Sequence, residues 1–252
     1  HAHLLRYDSV HGRFPGEVKV KGDAIDLGRG PIDVMSSYEP AELDWGGCDV
    51  VLECTGLAGK RSVAERGLAA GAKSVLVSGP SDEADITIVL GANDECLADE
   101  RIVSNASCTT NALAPLLKLL DDAFGVEAGQ MTTVHCYTGA QPTVDAPRKA
   151  PERSRAAALS MVPTTTSAAR LIDRVLPGLA GRIEARALRV PTASVSAIDL
   201  TVTTRQPTTP ETVNAALAAA TGPIIGSTAQ PLVSSDLRAR PESLILAPRE
   251  TS

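Results

Sequence analysis

Two short apolar runs, Asp49-Val50-Val51-Leu52-Glu53 and Ser74-Val75-Leu76-Val77-Ser78, constrain this chain more than any other feature. Runs of this length without alternation are the pattern of strands buried on both faces. Thr55-Gly56 break the first run. Residues 59–70 then carry helix formers, with Val63 and Leu68 on one side and Gly71 at the C-terminal stop. Strand, helix, strand in that order predicts a right-handed crossover in a parallel sheet. Residues 86–90 and 101–104 supply two further strands of the same kind.

The second half has a different pattern. Residues 131–137, 182–190 and 195–204 are strand-like, the latter two alternating so as to bury one face. Long strands joined by turns predict a mainly antiparallel sheet. Helices fit residues 110–124, 167–176 and 210–221. The fold class expected is α/β: a partial Rossmann-type parallel-sheet domain over 1–107, then an α+β catalytic domain over 108–252.

Composition narrows the function. With 24 Lys and Arg against 30 Asp and Glu, the formal charge is −6. That sign argues against a general nucleic-acid coat, which needs clustered cations. No apolar run approaches the ~20 residues of a membrane span. The five cysteines, Cys48, Cys54, Cys96, Cys108 and Cys136, are odd in number and lack a C-x-x-C pair. A disulfide framework or a structural zinc site is therefore not expected, and a reduced, cytoplasmic protein is. No metal-ligand spacing, glycine-rich dinucleotide loop or Walker loop is present.

The segment Ser104-Asn105-Ala106-Ser107-Cys108-Thr109-Thr110-Asn111 follows a strand and opens a helix that has Pro115 in an early turn. A thiol there meets unpaired backbone N–H groups and the positive end of the helix dipole, and both favour thiolate. Cys108 is thus a candidate nucleophile, the alternative being a small buried side chain capped by its hydroxyl neighbours. The other four cysteines read as core or incidental. Of the four histidines, only His135 lies within a strand. It is either structural or a proton shuttle for Cys108. Residues 148–155 hold four cations against one acid, followed by Thr164-Thr165-Thr166-Ser167 at a helix start and by Arg189. These suit anion oxygens, or else form an ordinary N-cap beside a solvated loop.

Four motifs in this order, Tyr-Asp-Ser-Val-His-Gly-Arg-Phe (7–14), Ala-Ser-Cys-Thr-Thr-Asn (106–111), Thr-Thr-Val-His (132–135) and Arg-Val-Pro-Thr (189–192), resemble phosphorylating glyceraldehyde-3-phosphate dehydrogenase of bacterial type. Erythrose-4-phosphate dehydrogenase is the close sister. The resemblance implies that Cys108 attacks an aldehyde, His135 keeps it ionised, and inorganic phosphate opens the thioester left after hydride transfer. It implies an anion site for attacking phosphate at Ser107, Thr109, Arg153, Thr166 and Ser167. A second, for the phosphorylated aldehyde, falls on Thr138 and Arg189. The cofactor implied is NAD, with NADP possible because Ala146 is small where strict NAD users carry Leu. Thr55, Gly56, Ser78 and Gly139 would touch it. The family association is a homotetramer with residues 137–155 packed across subunits.

Ser167, Ala140 and Ala112 depart from the family pattern, the last replacing a second cysteine that often follows the nucleophile. The family's first strand, glycine loop and ribose-binding acid find no match here, nor does its closing helix. The chain is therefore expected to be an interior piece of a longer protein. As an isolated piece it is expected to bind NAD poorly, so a non-catalytic or partner-dependent subunit is the reading of another class.

Overall fold

The parallel crossover is present in the computed structural model, which describes residues 1–37, 39, 42–43, 45 and 47–252. The N-terminal segment forms α1 (Ala2–Arg6), the hairpin β1 (Tyr7–Asp8) and β2 (Gly12–Arg13), and an antiparallel meander of β3 (Lys19–Lys21), β4 (Ala24–Asp26) and β5 (Pro31–Asp33). Next come β6 (Val50–Glu53), α2 (Arg61–Ala69), β7 (Ser74–Val77), β8 (Ile86–Thr87) and β9 (Ile102–Ser104). They make an all-parallel sheet in the order β6-β7-β9-β8. Gly67 lets α2 approach it closely, since a Cβ there would lie 2.9 Å from Val75 Cγ2 and 3.3 Å from Val51.

Two expectations need correction here. β6 is not buried on both faces: Leu52 is 65% exposed. The strand is a sheet edge among the described residues, and α2 covers only the face carrying Val51. Nor does β8 run to Leu90. Asn93 accepts the Val89 N–H at 2.9 Å and donates Nδ2 to the Thr87 carbonyl at 2.9 Å, which ends the ladder early.

The second half is built from α3 (Cys108–Phe124), β10 (Val126–Cys136), β11 (Val162–Thr164), α4 (Ala168–Val175), β12 (Ile183–Val190), β13 (Ala197–Thr204), α5 (Pro210–Ala219), β14 (Ile225–Ser227) and β15 (Leu244–Leu246). Its main sheet runs β11-β12-β10-β13. The outer pairings are antiparallel, and the central β10–β12 pair is parallel. That one parallel pairing follows from the long crossover through β11 and α4 between the two strands.

Leu113, Leu117 and Leu120 of α3 meet Ile172 and Val175 of α4 over Met131 and Ile183 of the sheet. All are buried, and each such side chain contributes roughly 1.5–3 kcal/mol by leaving water. Pro115 sits inside α3, past the first turn, so the helix lacks a backbone donor there. Gly125, at φ +70, ends α3 with its N–H on the Asp121 carbonyl at 2.8 Å. A short turn into β10 is the result, and β10 carries His135 back along the helix to the level of Cys108.

Candidate active site

Cys108 owes its position to the bend between β9 and α3. Ser104 Oγ accepts the Ser81 and Ala106 N–H groups, each at 3.2 Å, and donates to the Gly79 carbonyl at 2.9 Å. Ala106 is fully buried and left-handed, at φ +55. For a non-glycine residue that conformation costs roughly 1–3 kcal/mol, so the surroundings must hold it. The Asn111 side chain bonds the Asn105 and Ser107 carbonyls at 2.7 and 3.1 Å. Ser107 then caps α3, accepting the Thr110 N–H at 3.2 Å, and Cys108 is the first helical residue.

Cys108 is open to solvent, and its Sγ lies 3.2 Å from His135 Nε2. His135 is buried near the end of β10. The parallel register sets Arg189 directly opposite it. Arg189 Nη1 lies 2.7 Å from His135 Nδ1 and donates to the Cys136 carbonyl at 2.9 Å. Nδ1 also lies 2.6 Å from that carbonyl. We assign the Nδ1 proton to the carbonyl, because Nε2 already faces the sulfur.

The electrostatics favour an ion pair. The His135 contact is the main cause that draws the Cys108 thiol below its ordinary value. Burial opposes it, and the Thr109 hydroxyl and N–H assist. Contact with Cys108 first, and with Cys136 second, raises His135 to about 10. The Arg189 guanidinium acts the other way, since a cation 2.7 Å from Nδ1 disfavours imidazolium. Upward remains the net direction, because two sulfurs and a carbonyl face the ring.

Arg153 donates to Thr164 Oγ1, and to Thr165 Oγ1 at 3.3 Å. Thr166 Oγ1 accepts the Ala168 N–H at 3.2 Å at the start of α4, whereas Ser167, in the N-cap position, makes no side-chain cap. Thr138 and Gly139 are exposed just beyond β10. Arg189, read as a residue for a substrate anion, contacts His135 and the Cys136 carbonyl here, because the β10–β12 register faces it there.

Thr55, Gly56 and Ser78 lie at the carboxyl ends of β6 and β7, the usual ligand side of an open parallel sheet. Thr55 donates N–H and hydroxyl to Glu53 Oε1, and Ser78 N–H donates to the Glu53 carbonyl at 3.0 Å. Glu53 Oε2 is buried with no partner among the described residues. Gly56, at φ +76, faces open space.

Sequence reasoning passed over Glu53 and Cys136 as site residues. Cys136, read as incidental, is half-buried and contacts the His135 ring, and Ser196 Oγ donates to its Sγ at 3.5 Å. Its place directly after His135 was the available signal. Among the described residues no group of three His, Cys, Asp or Glu side chains could hold a metal ion, and no helix is long and apolar enough to cross a membrane.

Comparison with known proteins matches residues 107–252 to the C-terminal domain of glyceraldehyde 3-phosphate dehydrogenase. Residues 1–61 match that enzyme's NAD binding domain. The glyceraldehyde-3-phosphate dehydrogenase of Xanthobacter flavus is 54% identical over 249 residues, covering 96% of this chain and 74% of the relative. Glyceraldehyde-3-phosphate dehydrogenase 1 of Bacillus subtilis is 48% identical over 243 residues, covering 93% and 72%. Its namesake from Streptomyces arenae is 49% identical over 251 residues, covering 96% and 75%. The motifs, the fold and these matches agree: the chain belongs to the glyceraldehyde-3-phosphate dehydrogenase family.

Proposed function

We propose that this protein oxidises glyceraldehyde 3-phosphate to 1,3-bisphosphoglycerate, using NAD and inorganic phosphate, through a thioester on Cys108. The contact of Cys108 Sγ with His135 Nε2 at 3.2 Å, at the start of α3, carries this reading. The names of the relatives support it. The division of the chain at 107/108 belongs to the same reading, with the cofactor on the parallel sheet and the chemistry on the second part.

The residues at the sheet's carboxyl edge suit a polar cofactor, because Glu53 Oε2 lacks a donor that a ribose hydroxyl could supply. Thr55, Gly56 and Ser78 would hold it, with Gly139 near its reactive end. When bound, NAD supplies the acceptor for the hydride leaving the substrate carbon. The Cys108 thiolate adds to the aldehyde carbon, and the Cys108 N–H at the helix start stabilises the oxygen anion. The His135 imidazolium protonates that oxygen, and the neutral imidazole takes the hydroxyl proton back as the carbon is oxidised, leaving the thioester on Cys108. Phosphate held by Arg153, Thr166 and Ser167, with Ser107 and Thr109 beside the sulfur, then attacks the acyl carbon. Cys108 leaves as a thiolate, again paired with His135. Arg189 exchanges its contact with the base for the phosphoryl group of the aldehyde, with Thr138 alongside.

NADH formation measured on glyceraldehyde 3-phosphate, with and without inorganic phosphate, tests this. Strict phosphate dependence supports the proposal. Turnover of erythrose 4-phosphate without phosphate would assign the protein to the sister activity. No turnover of either sugar with NAD or NADP would point to a non-catalytic subunit. Light scattering tests the homotetramer of the same reading.

A further inference from the structure

Asp82, Glu83 and Asp85 crowd the loop after β7, and they divide between two helices. Glu83 Oε2 accepts the Arg61 N–H at the start of α2 at 2.7 Å, and Asp85 accepts from the Arg61 guanidinium at 2.7 Å. Asp82 turns the other way. Its carboxylate accepts from Arg170 Nη1, 88 residues along the chain, and lies 3.2 Å from Arg174 Nη1. Both arginines belong to α4, and Arg174 also donates to the Ser81 carbonyl at 3.5 Å. Asp82 therefore ties the parallel-sheet part of the protein to the second part.

Of the two partners, α4 is the fixed one. Ala168, Leu171, Ile172 and Val175 are buried on one face, which leaves Arg170 and Arg174 one turn apart on another. Like charges at that spacing repel, and a carboxylate shared between them relieves the repulsion. The loop is the weaker partner. Pro80 has no N–H to give, and the buried Ser81 hydroxyl has no partner among the described residues. Its inner hold is Ser104 Oγ, which accepts the Ser81 N–H at 3.2 Å and donates to the Gly79 carbonyl at 2.9 Å. Ser78 begins this loop, with its N–H on the Glu53 carbonyl at 3.0 Å.

We propose that Asp82 is a positioning residue for the cofactor: by clamping this loop to α4 it sets where Ser78 stands relative to Cys108. The inference rests on the reading of Ser78 as a cofactor contact. The three charged groups are all open to solvent, and exposed pairs add little to the stability of a whole fold. Their effect is local, on a loop whose opening leaves the core closed. Cys108 stands outside that effect, because the fully buried Ser104 holds its bend through the Ala106 N–H.

The test compares wild type with Asp82→Asn and Asp82→Glu by amide hydrogen exchange, read by mass spectrometry, and by the KM for NAD. Asp82→Asn removes the charge and keeps the shape. Exchange at residues 78–82 is expected to quicken in it by about three- to tenfold, with residues 104–108, the denaturation midpoint and Cys108 alkylation unchanged. The KM for NAD should rise by a similar factor while the KM for inorganic phosphate holds, and Asp82→Glu should restore both readouts. Exchange at 78–82 that does not change, or that quickens with the whole chain as stability falls, overturns the proposal. So does a local quickening that leaves the KM for NAD where it was. Wild type that turns over no substrate would sink the proposed function instead. Exchange with NAD added then decides: protection of residues 78–82 that weakens in Asp82→Asn supports the clamp, and no protection in wild type overturns it.

Discussion

Cys108 and His135 stand 27 residues apart in the chain and 3.2 Å apart at Sγ and Nε2. The contact joins the first turn of α3 to the end of β10, and both elements are pinned by the buried layer between them. The electrostatics of that contact favour a thiolate beside an imidazolium, and the reactivity proposed for the site follows from that pairing.

Replacing His135 with Asn removes the cation and the main cause of the lowered Cys108 thiol. An ordinary thiol is only a few per cent ionised at neutral pH, so alkylation of Cys108 by iodoacetamide should slow by roughly 10- to 50-fold. Peptide mapping of labelled protein checks this, with Cys48, Cys54 and Cys96 as internal controls.

The pH dependence has a defined sign. His135 is raised to about 10, so its proton is fully held below the ordinary 6.5 and lost as pH climbs through about 10. Cys108 is lowered, so its ionisation fails only as pH falls through that lowered value. The excess reactivity of Cys108 over a free thiol should therefore be greatest near neutrality and vanish toward pH ~10, where free thiols also ionise. A ratio that grows with pH across that range would contradict the ion pair.

Arg189 opposes the imidazolium through its 2.7 Å approach to Nδ1. Arg189→Ala should leave Cys108 alkylation at pH 6 as fast or faster. Loss of the proposed phosphoryl contact should raise the KM for glyceraldehyde 3-phosphate by about 10²-fold, from the 2–3 kcal/mol of a charge-assisted bond. Kinetics and labelling on the same variant separate the two effects. A loss of alkylation would mean that the guanidinium supports the thiolate.

The bend before Cys108 depends on a left-handed Ala106 with no exposed surface. Ala106→Gly should retain activity, since glycine adopts that conformation without strain. Ala106→Val should destabilise the fold by about 2 kcal/mol or more and slow Cys108 labelling, because a β-branched side chain adds both backbone strain and crowding. Denaturant midpoints and labelling rates read the two outcomes.

Behind the site, Leu117 is fully buried between α3 and the sheet. Leu117→Ala should cost about 2–5 kcal/mol. The chemical denaturation midpoint would fall accordingly, and a change below 1 kcal/mol would show that α3 is not anchored as described.

Much of this was legible from the residues. The runs at 49–53 and 74–78 and the stop at Gly71 are local signals, and they gave strands and a helix within a few residues of those observed. What escaped notice depends on contacts between distant segments. The exposure of Leu52 follows from β6 lying at a sheet edge, and the early end of β8 from the side chain of Asn93. The parallel pairing of β10 with β12, which sets Arg189 against His135, reflects a crossover that no local pattern encodes. Cys108 and His135 were visible as types, whereas their meeting was not. Cys136 was passed over because a cysteine after a strand histidine reads as packing.

The most direct test of the account is intact-mass and peptide analysis of the protein after one turnover with glyceraldehyde 3-phosphate and NAD, phosphate being withheld. An acyl adduct on Cys108 that inorganic phosphate discharges, and that Cys108→Ser abolishes, is the predicted result. NADH formed with no adduct on Cys108, or an unchanged adduct in the serine variant, would contradict it.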